Sequence, residues 1–547
     1  MCLFISKKDV LIGLYVLVGS AVFLFTGCSH FNSNYEDYYA FKEDPGSVRQ
    51  IETIDLEEAK EEAPEYSPVK PELPELEISL EKCRAMTLEN NLELRVQLIN
   101  PTIYAESVSQ EKARFEASFE GVAQYSKTNS PSAYLLDISG NQVDRFYTDL
   151  AVRFPLRTGG EIKVDLVDTR LKTNSFYSAF NPSYEPDLSA SISQPLLRNA
   201  GNRVNTYAIR VAEYNRQMYD AETKLAAIRI IADVEVAYWR LYAYRRGLDV
   251  ARQQYELSQA LFEQTKRLVE VGVKPKIELI STKASVADNL EAIIRAENEV
   301  RDVERELKVK LNKPGLGTET KTVLIPTTQP DPVRYELDRE RMVANALENR
   351  MEMLELEIQL ASDADKIEYQ KNQLLPKIDM QYKYNINGLG PNRSDAYDLL
   401  TDNDYNDHTF TMQFSVPIGN KSAKSKLRQA KYERAKRLAT QDGRKAQIKY
   451  EVLQQIDKLE LSWQSILATR QRTILNDEKY KAQRRQYELG LATSTDVFQA
   501  QTNLADAQTS EIRALTEYQV ALIGLAKASG TLLGASKIQW NPIVPQE

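Results

Sequence analysis

Two long stretches of the chain carry hydrophobic residues at helical spacing with no proline to end them. They run from about residue 203 to 271 and from about residue 421 to 489. At a rise of 1.5 Å per residue, each helix would be about 100 Å long and would need lateral partners in a coiled bundle. In the first stretch the apolar stripe consists of Ile228, Ile231, Val234, Ala237, Leu241 and Tyr244.

A single glycine interrupts each stretch, and a second helical pattern follows directly. Gly272 aligns with Gly490, and the patterns continue to about residues 311 and 533. The sequence therefore predicts a helical hairpin that is present twice. Earlier segments repeat as well, since "LEN" at 88–90 recurs at 347–349. A separation of roughly 220 residues is far beyond a solenoid period and indicates a duplicated half-protein.

The duplication sets the predicted organisation of the chain. Ser79 is a plausible N-cap for the first helix of the first repeat. A segment rich in proline, glycine and threonine separates the two halves. The predicted units are a first repeat at 79–311, a linking segment at 312–335, a second repeat at 336–533 and a tail at 534–547.

Between the helical patterns, short segments alternate apolar and polar residues, as β-strands do. Residues 377–387 and 409–417 in the second half and 187–195 in the first alternate in this way, and two more segments flank the turn Thr158-Gly159-Gly160. The apolar face of such strands meets a second sheet in a soluble sandwich or lipid in a membrane barrel. Alternation alone leaves both open.

The amino terminus reads as an export signal at 1–28, with an apolar run too short for a membrane span. Its end, "FTGC", is similar to a bacterial lipobox and predicts lipidation of Cys28, with Ser29 favouring outer-membrane sorting. The alternative is a plain secretory signal with an incidental cysteine. Residues 29–78 are rich in glutamate and proline and predict an extended acidic tether.

Composition and the absence of catalytic motifs argue against several classes of function. A net charge of -8 argues against a nucleic-acid partner. The two histidines, His30 and His408, have no partners at metal-ligand spacing, and the sequence contains no phosphate loop or nucleophile motif. We therefore expect no enzyme activity, no cofactor and no metal site.

The two hairpin turns are more informative. An apolar residue stands on each side of both glycines, giving Val271, Gly272 and Val273 in the first turn and Leu489, Gly490 and Leu491 in the second. Exposed apolar pairs at the end of a polar hairpin need a partner, whereas turn chemistry accounts only for the glycines. Six residues after each glycine stands an acid, Glu278 or Asp496. These acids either ring a pore mouth or start a helix, where the dipole favours them.

The duplicated order helix–strand–strand–helix–helix resembles the TolC family of outer-membrane efflux and secretion channels. The resemblance rests on the segments that follow the last strand of each half, "SQPLL" and "SVPIG", and on the hairpin turn "YELGLATSTDVFQAQTNL". It covers about residues 79–533. It implies an α+β membrane protein and a homotrimer. Long hairpins would form a periplasmic α-barrel, and antiparallel strands, four per chain, would contribute to a shared twelve-stranded transmembrane β-barrel. The pair of segments around Gly159-Gly160 exceeds two strands per half and either extends the barrel strands or folds outside them.

The resemblance also implies roles at the tips. A periplasmic adaptor (membrane fusion protein) would dock on the glycine turns, and Glu278, Tyr487 and Asp496 would belong to the periplasmic gate. Two residues depart from the family pattern. Where the family pattern has an arginine, two positions after the second glycine, this chain has Ala492. Where the pattern has a second aspartate, this chain has Gln499. A salt-bridge lock of the family's kind is therefore not expected.

The predicted function is that of a lipid-anchored trimeric channel that passively conducts solutes or proteins. It would be the exit duct of a tripartite efflux or type I secretion system in the outer membrane. Its partners would be further copies of the chain, an adaptor, an inner-membrane pump of RND or ABC type, and outer-membrane lipid. The alternatives are a non-channel periplasmic coiled coil, which the alternating strands disfavour, and an adaptor lipoprotein, which the duplicated hairpin disfavours.

Overall fold

Long helices and two sheets make up residues 74–131 and 140–538, the part of the chain that the computed structural model describes. The helices are, in chain order, α1 (Leu80–Asn90), α2 (Leu92–Ala113), α3 (Asn202–Asn205), α4 (Tyr207–Glu270), α5 (Lys276–Leu311), α6 (Arg339–Asn349), α7 (Met351–Asn372), α8 (Arg393–Asp402), α9 (Lys421–Glu488), α10 (Ser494–Ala528) and α11 (Leu532–Ala535). The strands are β1 (Glu75–Ile78), β2 (Ser118–Asn129), β3 (Gln142–Pro155), β4 (Glu161–Thr173), β5 (Ser183–Pro195), β6 (Val323–Pro326), β7 (Lys377–Asn387) and β8 (Asn406–Ser415). None of these helices combines the length and the apolar character that crossing a membrane requires.

The helices of the two halves match in length. Helices α1 and α6 have 11 residues each, and α2 and α7 have 22 each. The long helices α4 and α9 have 64 and 68 residues, and the returning helices α5 and α10 have 36 and 35. This agreement confirms the internal duplication and the two hairpins predicted from the sequence.

One extended residue separates the short helix from the next helix in each half, and it also ties that half to its own hairpin. In the first half this residue is Asn91, whose side-chain amide donates to the carbonyl oxygen of Lys310 on α5 at 2.8 Å. In the second half it is Arg350, which forms ion pairs with Glu352 and with Glu451 on α9. Ser79 caps α1 as predicted, accepting a hydrogen bond from the backbone N–H of Lys82.

The large sheet has six antiparallel strands in the order β2-β3-β4-β5-β7-β8. The resemblance implied four barrel strands per chain, whereas this sheet has six, four from the first half and two from the second. The extra pair, β3 and β4, surrounds the predicted Thr158-Gly159-Gly160 turn, where Gly159 has φ +92°. Strand β2 escaped the sequence pattern because small residues, Gly121 and Ala123, stand at two of its apolar-face positions.

Two other sequence expectations need correction. Residues 75–78, assigned to the tether, form strand β1, which pairs in parallel with β6 of the linking segment. The alternating segment predicted at 409–417 begins earlier, at Asn406, so His408 lies within β8, and its ring nitrogen Nδ1 is 2.8 Å from the hydroxyl of Tyr382. The export signal, Cys28, the rest of the tether and residues 539–547 of the tail lie outside the described residues.

The core is a series of clusters along the hairpins. The largest joins α1, α4 and α5 to the small sheet, and it contains every residue of the predicted stripe from Ile228 to Leu241 as a buried member, with Tyr244 packed against it. A second cluster joins α6, α7, α9 and α10 around Ile448 and Val452. A third lies near the hairpin ends and joins α4 to α9 and α10. The two hairpins therefore pack against each other.

Candidate functional site

Each long hairpin turns through the same backbone motif. In the first turn the N–H of Gly272 bonds to the carbonyl of Val269 at 3.0 Å, and the N–H of Val273 bonds to that of Leu268 at 2.9 Å. The second turn repeats both bonds at the equivalent positions, at 3.0 and 2.9 Å. This pattern is a Schellman motif, which requires positive φ at the residue after the C-cap. Gly272 and Gly490 have φ of +77° and +78° and meet that requirement.

The apolar residues beside these glycines are exposed. The exposed fractions are 71% for Val271, 63% for Val273, 68% for Leu489 and 78% for Leu491. In a Schellman motif the residue after the glycine frequently packs back onto the helix, but Val273 and Leu491 are exposed, as are Val271 and Leu489 before the glycines. These four side chains form an apolar surface that is available to a partner.

Two hydrogen bonds join the first tip to the second. The ammonium nitrogen of Lys274 donates to the carbonyl oxygen of Ala492 at 3.0 Å. The carboxylate of Glu278 accepts from the backbone N–H of Ser494 at 2.9 Å. Ser494 is the first residue of α10, so Glu278 satisfies one of the free N–H groups at that helix start from the neighbouring hairpin.

Tyr487 connects the hairpins through buried contacts. Its hydroxyl lies 2.7 Å from the hydroxyl oxygen of Thr265 on α4, and its ring lies 4.7 Å from the ammonium nitrogen of Lys274. Burial raises the pKa of the phenol, the hydrogen bond with Thr265 opposes that rise, and the negative charge of Glu278 adds to it. Tyr487 is therefore neutral at physiological pH and acts as a packed hydrogen-bonding group.

Asp496 belongs to a different local structure. Its carboxylate accepts from the backbone N–H of Thr493 at 3.0 Å and from the Thr493 hydroxyl at 2.7 Å, completing a capping box at the start of α10. The hydrogen bonds from Thr493 lower the pKa of this carboxyl below its ordinary value. Within the chain, Asp496 holds a helix start, in agreement with one of the two readings of the sequence.

Some contacting residues had no role in the sequence prediction. The spacing Thr493-x-x-Asp496 is a capping-box pattern, so the sequence alone is sufficient to predict the role of Thr493. The roles of Thr265 and Lys274 depend on how the hairpins pack, which periodicity does not specify. Gln499, at the second position that departs from the family, donates to the side chain of Asn503 on its own helix at 3.2 Å.

The site offers hydrogen-bond donors, acceptors and apolar surface suited to binding. Among the described residues, no group of three or more histidine, cysteine, aspartate or glutamate side chains is arranged to hold a metal ion. Cys28, the predicted lipidation site, lies outside the described residues.

Comparison with known proteins identifies the family. A model of the outer membrane efflux protein family matches residues 84–313 and 342–531. "Outer membrane protein TolC" of Vibrio cholerae is 22% identical over 336 residues, which cover 60% of this chain and 74% of that protein. The Campylobacter jejuni CmeC outer membrane channel aligns with a TM-score of 0.60 at 12% identity, covering 83% of this chain and 86% of that one. The open state of the Neisseria gonorrhoeae MtrE outer membrane channel aligns with a TM-score of 0.57 at 16% identity, covering 83% and 89%.

The matched ranges cover most of both repeats and leave out the segment between them. The duplicated hairpins and the antiparallel sheet are thus features of a known family and a known fold. This chain belongs to the outer membrane efflux protein family, and its function is efflux at the outer membrane.

Proposed function

We propose that three copies of the chain assemble into one outer-membrane duct that is opened by a periplasmic adaptor docking on the hairpin tips. The exposed apolar residues beside Gly272 and Gly490 carry this proposal. They occur at both tips, in the same backbone motif. In each half, the long helix begins near the large sheet and the tip lies at its other end. A partner that covers them gains hydrophobic burial at each tip.

The contacts between the tips provide the gate. Lys274, Glu278 and Tyr487 join the first hairpin of a protomer to its second hairpin close to the docking surface. Moving one hairpin away from the other breaks these contacts, so an adaptor that binds the separated tips more tightly shifts the duct toward its open state. In the trimer, Glu278 and Asp496 place acids near the periplasmic mouth.

The remaining partners follow from the predicted anchor and the direction of transport. Acyl chains on Cys28 hold the amino terminus in the outer membrane. An inner-membrane pump of RND or ABC type supplies the energy, because the duct itself is passive. The cargo is a solute or a protein delivered by that pump.

A substitution at the second tip tests docking. Gly490→Val places a β-branched residue at φ +78°, which disrupts the turn. We expect loss of export of an efflux dye in cells that contain the chain's own adaptor and pump, with trimers intact by light scattering. Gly490→Asn should retain export, because asparagine tolerates this conformation.

The matched control is Gly443→Val, an exposed mid-helix position on α9 where φ is not positive and where an added side chain meets no neighbour. Normal export by Gly490→Val would contradict docking at the tip. A trimer is a separate expectation, and a purified monomer would contradict it whatever the tip variants do.

A further inference from the structure

The strands β3 and β4 are an integral part of the large sheet. Strand β3 pairs with β2 from Gln142 to Arg153 and with β4 from Val143 to Pro155. Strand β4 pairs with β5 from Glu161 to Leu171. These strands are as long as their neighbours, so the extra hairpin widens the sheet.

The β3–β4 turn is also fixed to the point where the first half passes from strand to helix. The hydroxyl of Thr158 donates to the side chain of Gln194 at 2.8 Å, and the N–H of Gly201 donates to the carbonyl of Thr158 at 2.9 Å. The extra hairpin is thereby held at its turn as well as along its strands.

One face of the sheet is apolar across the extra hairpin. Residues paired in register share a face, and one such row crosses five strands as Phe154, Ile162, Ile192, Tyr382 and Phe410. A separate layer formed by β3 and β4 would interrupt this row, because Phe154 and Ile162 belong to these two strands. A continuous apolar face of this width is suited to lipid.

The opposite face is polar across all six strands. A single row of paired residues there is Ser118, Arg153, Lys163, Ser191, Lys383 and Thr409. This face is also the more covered of the two, since Ala151, Asp165 and Ser189 are buried in it, while Leu150 and Val164 on the apolar face are exposed. That difference is expected for a sheet that curls with its polar face on the concave side.

The outer edges of β2 and β8 have no strand partner within the described part of the chain. Six strands are fewer than the eight of the smallest membrane barrels, so a second copy must supply the missing partners. Neighbouring strands alternate in direction and their number is even. Under rotational symmetry, β8 of one copy therefore meets β2 of the next in antiparallel orientation.

We propose that three copies close one barrel of eighteen strands, with the β8 edge of each copy paired to the β2 edge of the next. This inference rests on the trimer of the proposed function. Because barrel diameter grows roughly linearly with strand number, the bore is about one and a half times as wide as that of a twelve-stranded barrel. Barrels with about 16 to 18 strands leave an open aqueous channel, so this duct admits correspondingly larger cargo across the outer membrane.

Cysteine cross-linking of the full-length trimer in cells tests the junction. Thr411→Cys on the polar face of β8 is combined in turn with Glu120→Cys, Val122→Cys and Gln124→Cys on the same face of β2. We expect disulfide-linked dimers and trimers on a denaturing gel for at least one pair. The buried Cys83 serves as a silent background, since burial raises the pKa of its thiol to about 12.

The competing arrangement has its own pair. If β2 and β3 stay outside the barrel, β8 meets β4 of the next copy, and Thr411→Cys cross-links to Val167→Cys instead. That result, or a trimer without any β2–β8 cross-link, overturns the eighteen-stranded barrel and leaves the trimer standing. A protein that is not trimeric by light scattering overturns the proposed function itself.

A second measurement reads the bore directly. Deleting residues 142–173 removes β3 and β4 and leaves the loops before and after them to join β2 to β5 with the strand directions unchanged. In planar bilayers, we expect polyethylene glycol added from the extracellular side to be excluded at a smaller size by this variant than by the unaltered trimer. An equal size limit in a trimeric deletion variant overturns the wider bore.

Discussion

The ammonium nitrogen of Lys274 lies 3.0 Å from the carbonyl oxygen of Ala492. The two residues occupy equivalent positions, each two residues after the glycine of its own tip. The family pattern has its cation on the second tip, whereas this chain has alanine there and a lysine on the first. A positive charge thus reaches the same gap between the tips from the opposite side.

Removing that charge should loosen the closed mouth. Lys274→Met deletes a charge-assisted hydrogen bond and the contact with the Tyr487 ring, each of which stabilises the paired tips. With about 1.5 to 3 kcal/mol lost, the open fraction should rise by about tenfold or more. Single-channel recording in planar bilayers measures this fraction. Lys276→Met, an exposed neighbour, is the control, and equal open fractions for the two variants would contradict the gating role of Lys274.

The hydroxyl of Tyr487 should be worth about 1 kcal/mol to the contact between hairpins. Tyr487→Phe keeps the packed ring and removes only the 2.7 Å hydrogen bond to Thr265. The free energy of unfolding should fall by that amount in denaturant titrations, whereas Tyr450→Phe at an exposed site of α9 should change nothing. Thr265→Val combined with Tyr487→Phe should cost less than the sum of the two single changes, and strict additivity would show that the bond contributes nothing.

Stability in acid should depend on Asp365, which connects α7 to α4. Its carboxylate accepts from Arg210 at 2.8 Å, from Arg203 at 3.3 Å and from the Tyr214 hydroxyl at 3.2 Å. Burial raises the pKa of this carboxyl, but the hydrogen bonds and charge of Arg210, with Arg203, outweigh it and place the pKa below the ordinary 3.8.

Because the folded-state pKa is the lower one, this stabilisation is present above pH 3.8 and is lost as the pH falls through the folded pKa. Asp365→Asn should therefore lose less stability than the unaltered protein between about pH 6 and about pH 3. Thermal unfolding at both pH values measures the difference. Asp442→Asn, at an exposed site on α9, should behave like the unaltered protein; if Asp365→Asn does so too, the pKa of Asp365 is not linked to folding.

Lys308 should anchor the linking segment to the first hairpin. Its ammonium nitrogen, buried on α5, donates to the carbonyl oxygens of Thr320 and Thr322 at 3.1 and 2.6 Å and pairs with Glu304 at 3.0 Å. Lys308→Met removes this donor from the half-buried carbonyl oxygens of Thr320 and Thr322, and we expect a loss of about 2 to 3 kcal/mol in the free energy of unfolding. The exposed Lys283→Met on the same helix should cost less than about 0.5 kcal/mol. If Lys308→Met and Lys283→Met cost similar amounts of unfolding free energy, Lys308 does not anchor the linking segment.

The sequence predicted the structure best where a single local property, such as helical periodicity or a glycine between two helices, determines the conformation. Long amphipathic periodicity located α4 and α9 to within about five residues at their starts, and the positive φ of Gly272 and Gly490 followed from their place between helices. The count of four strands came from the resemblance, whereas the alternating pattern located five of the six strands and missed β2, where Gly121 and Ala123 weaken the alternation. The pairing of β1 with β6 joins segments about 250 residues apart, and no local pattern encodes such a contact.

Where the large sheet adjoins the long helices, the turn between β3 and β4 is the one place in the described part of the chain at which it reverses without passing into a helix. At this end of the sheet, helices α2, α3, α7 and α9 each adjoin one strand in sequence, whereas β3 and β4 adjoin no helix there. Strand number and helix number are thus uncoupled. Inserting or removing a β-hairpin here leaves the directions of the other strands and their connections to the helices unchanged. The size limit at the cell surface and the choice of partner at the hairpin tips can therefore change independently of each other.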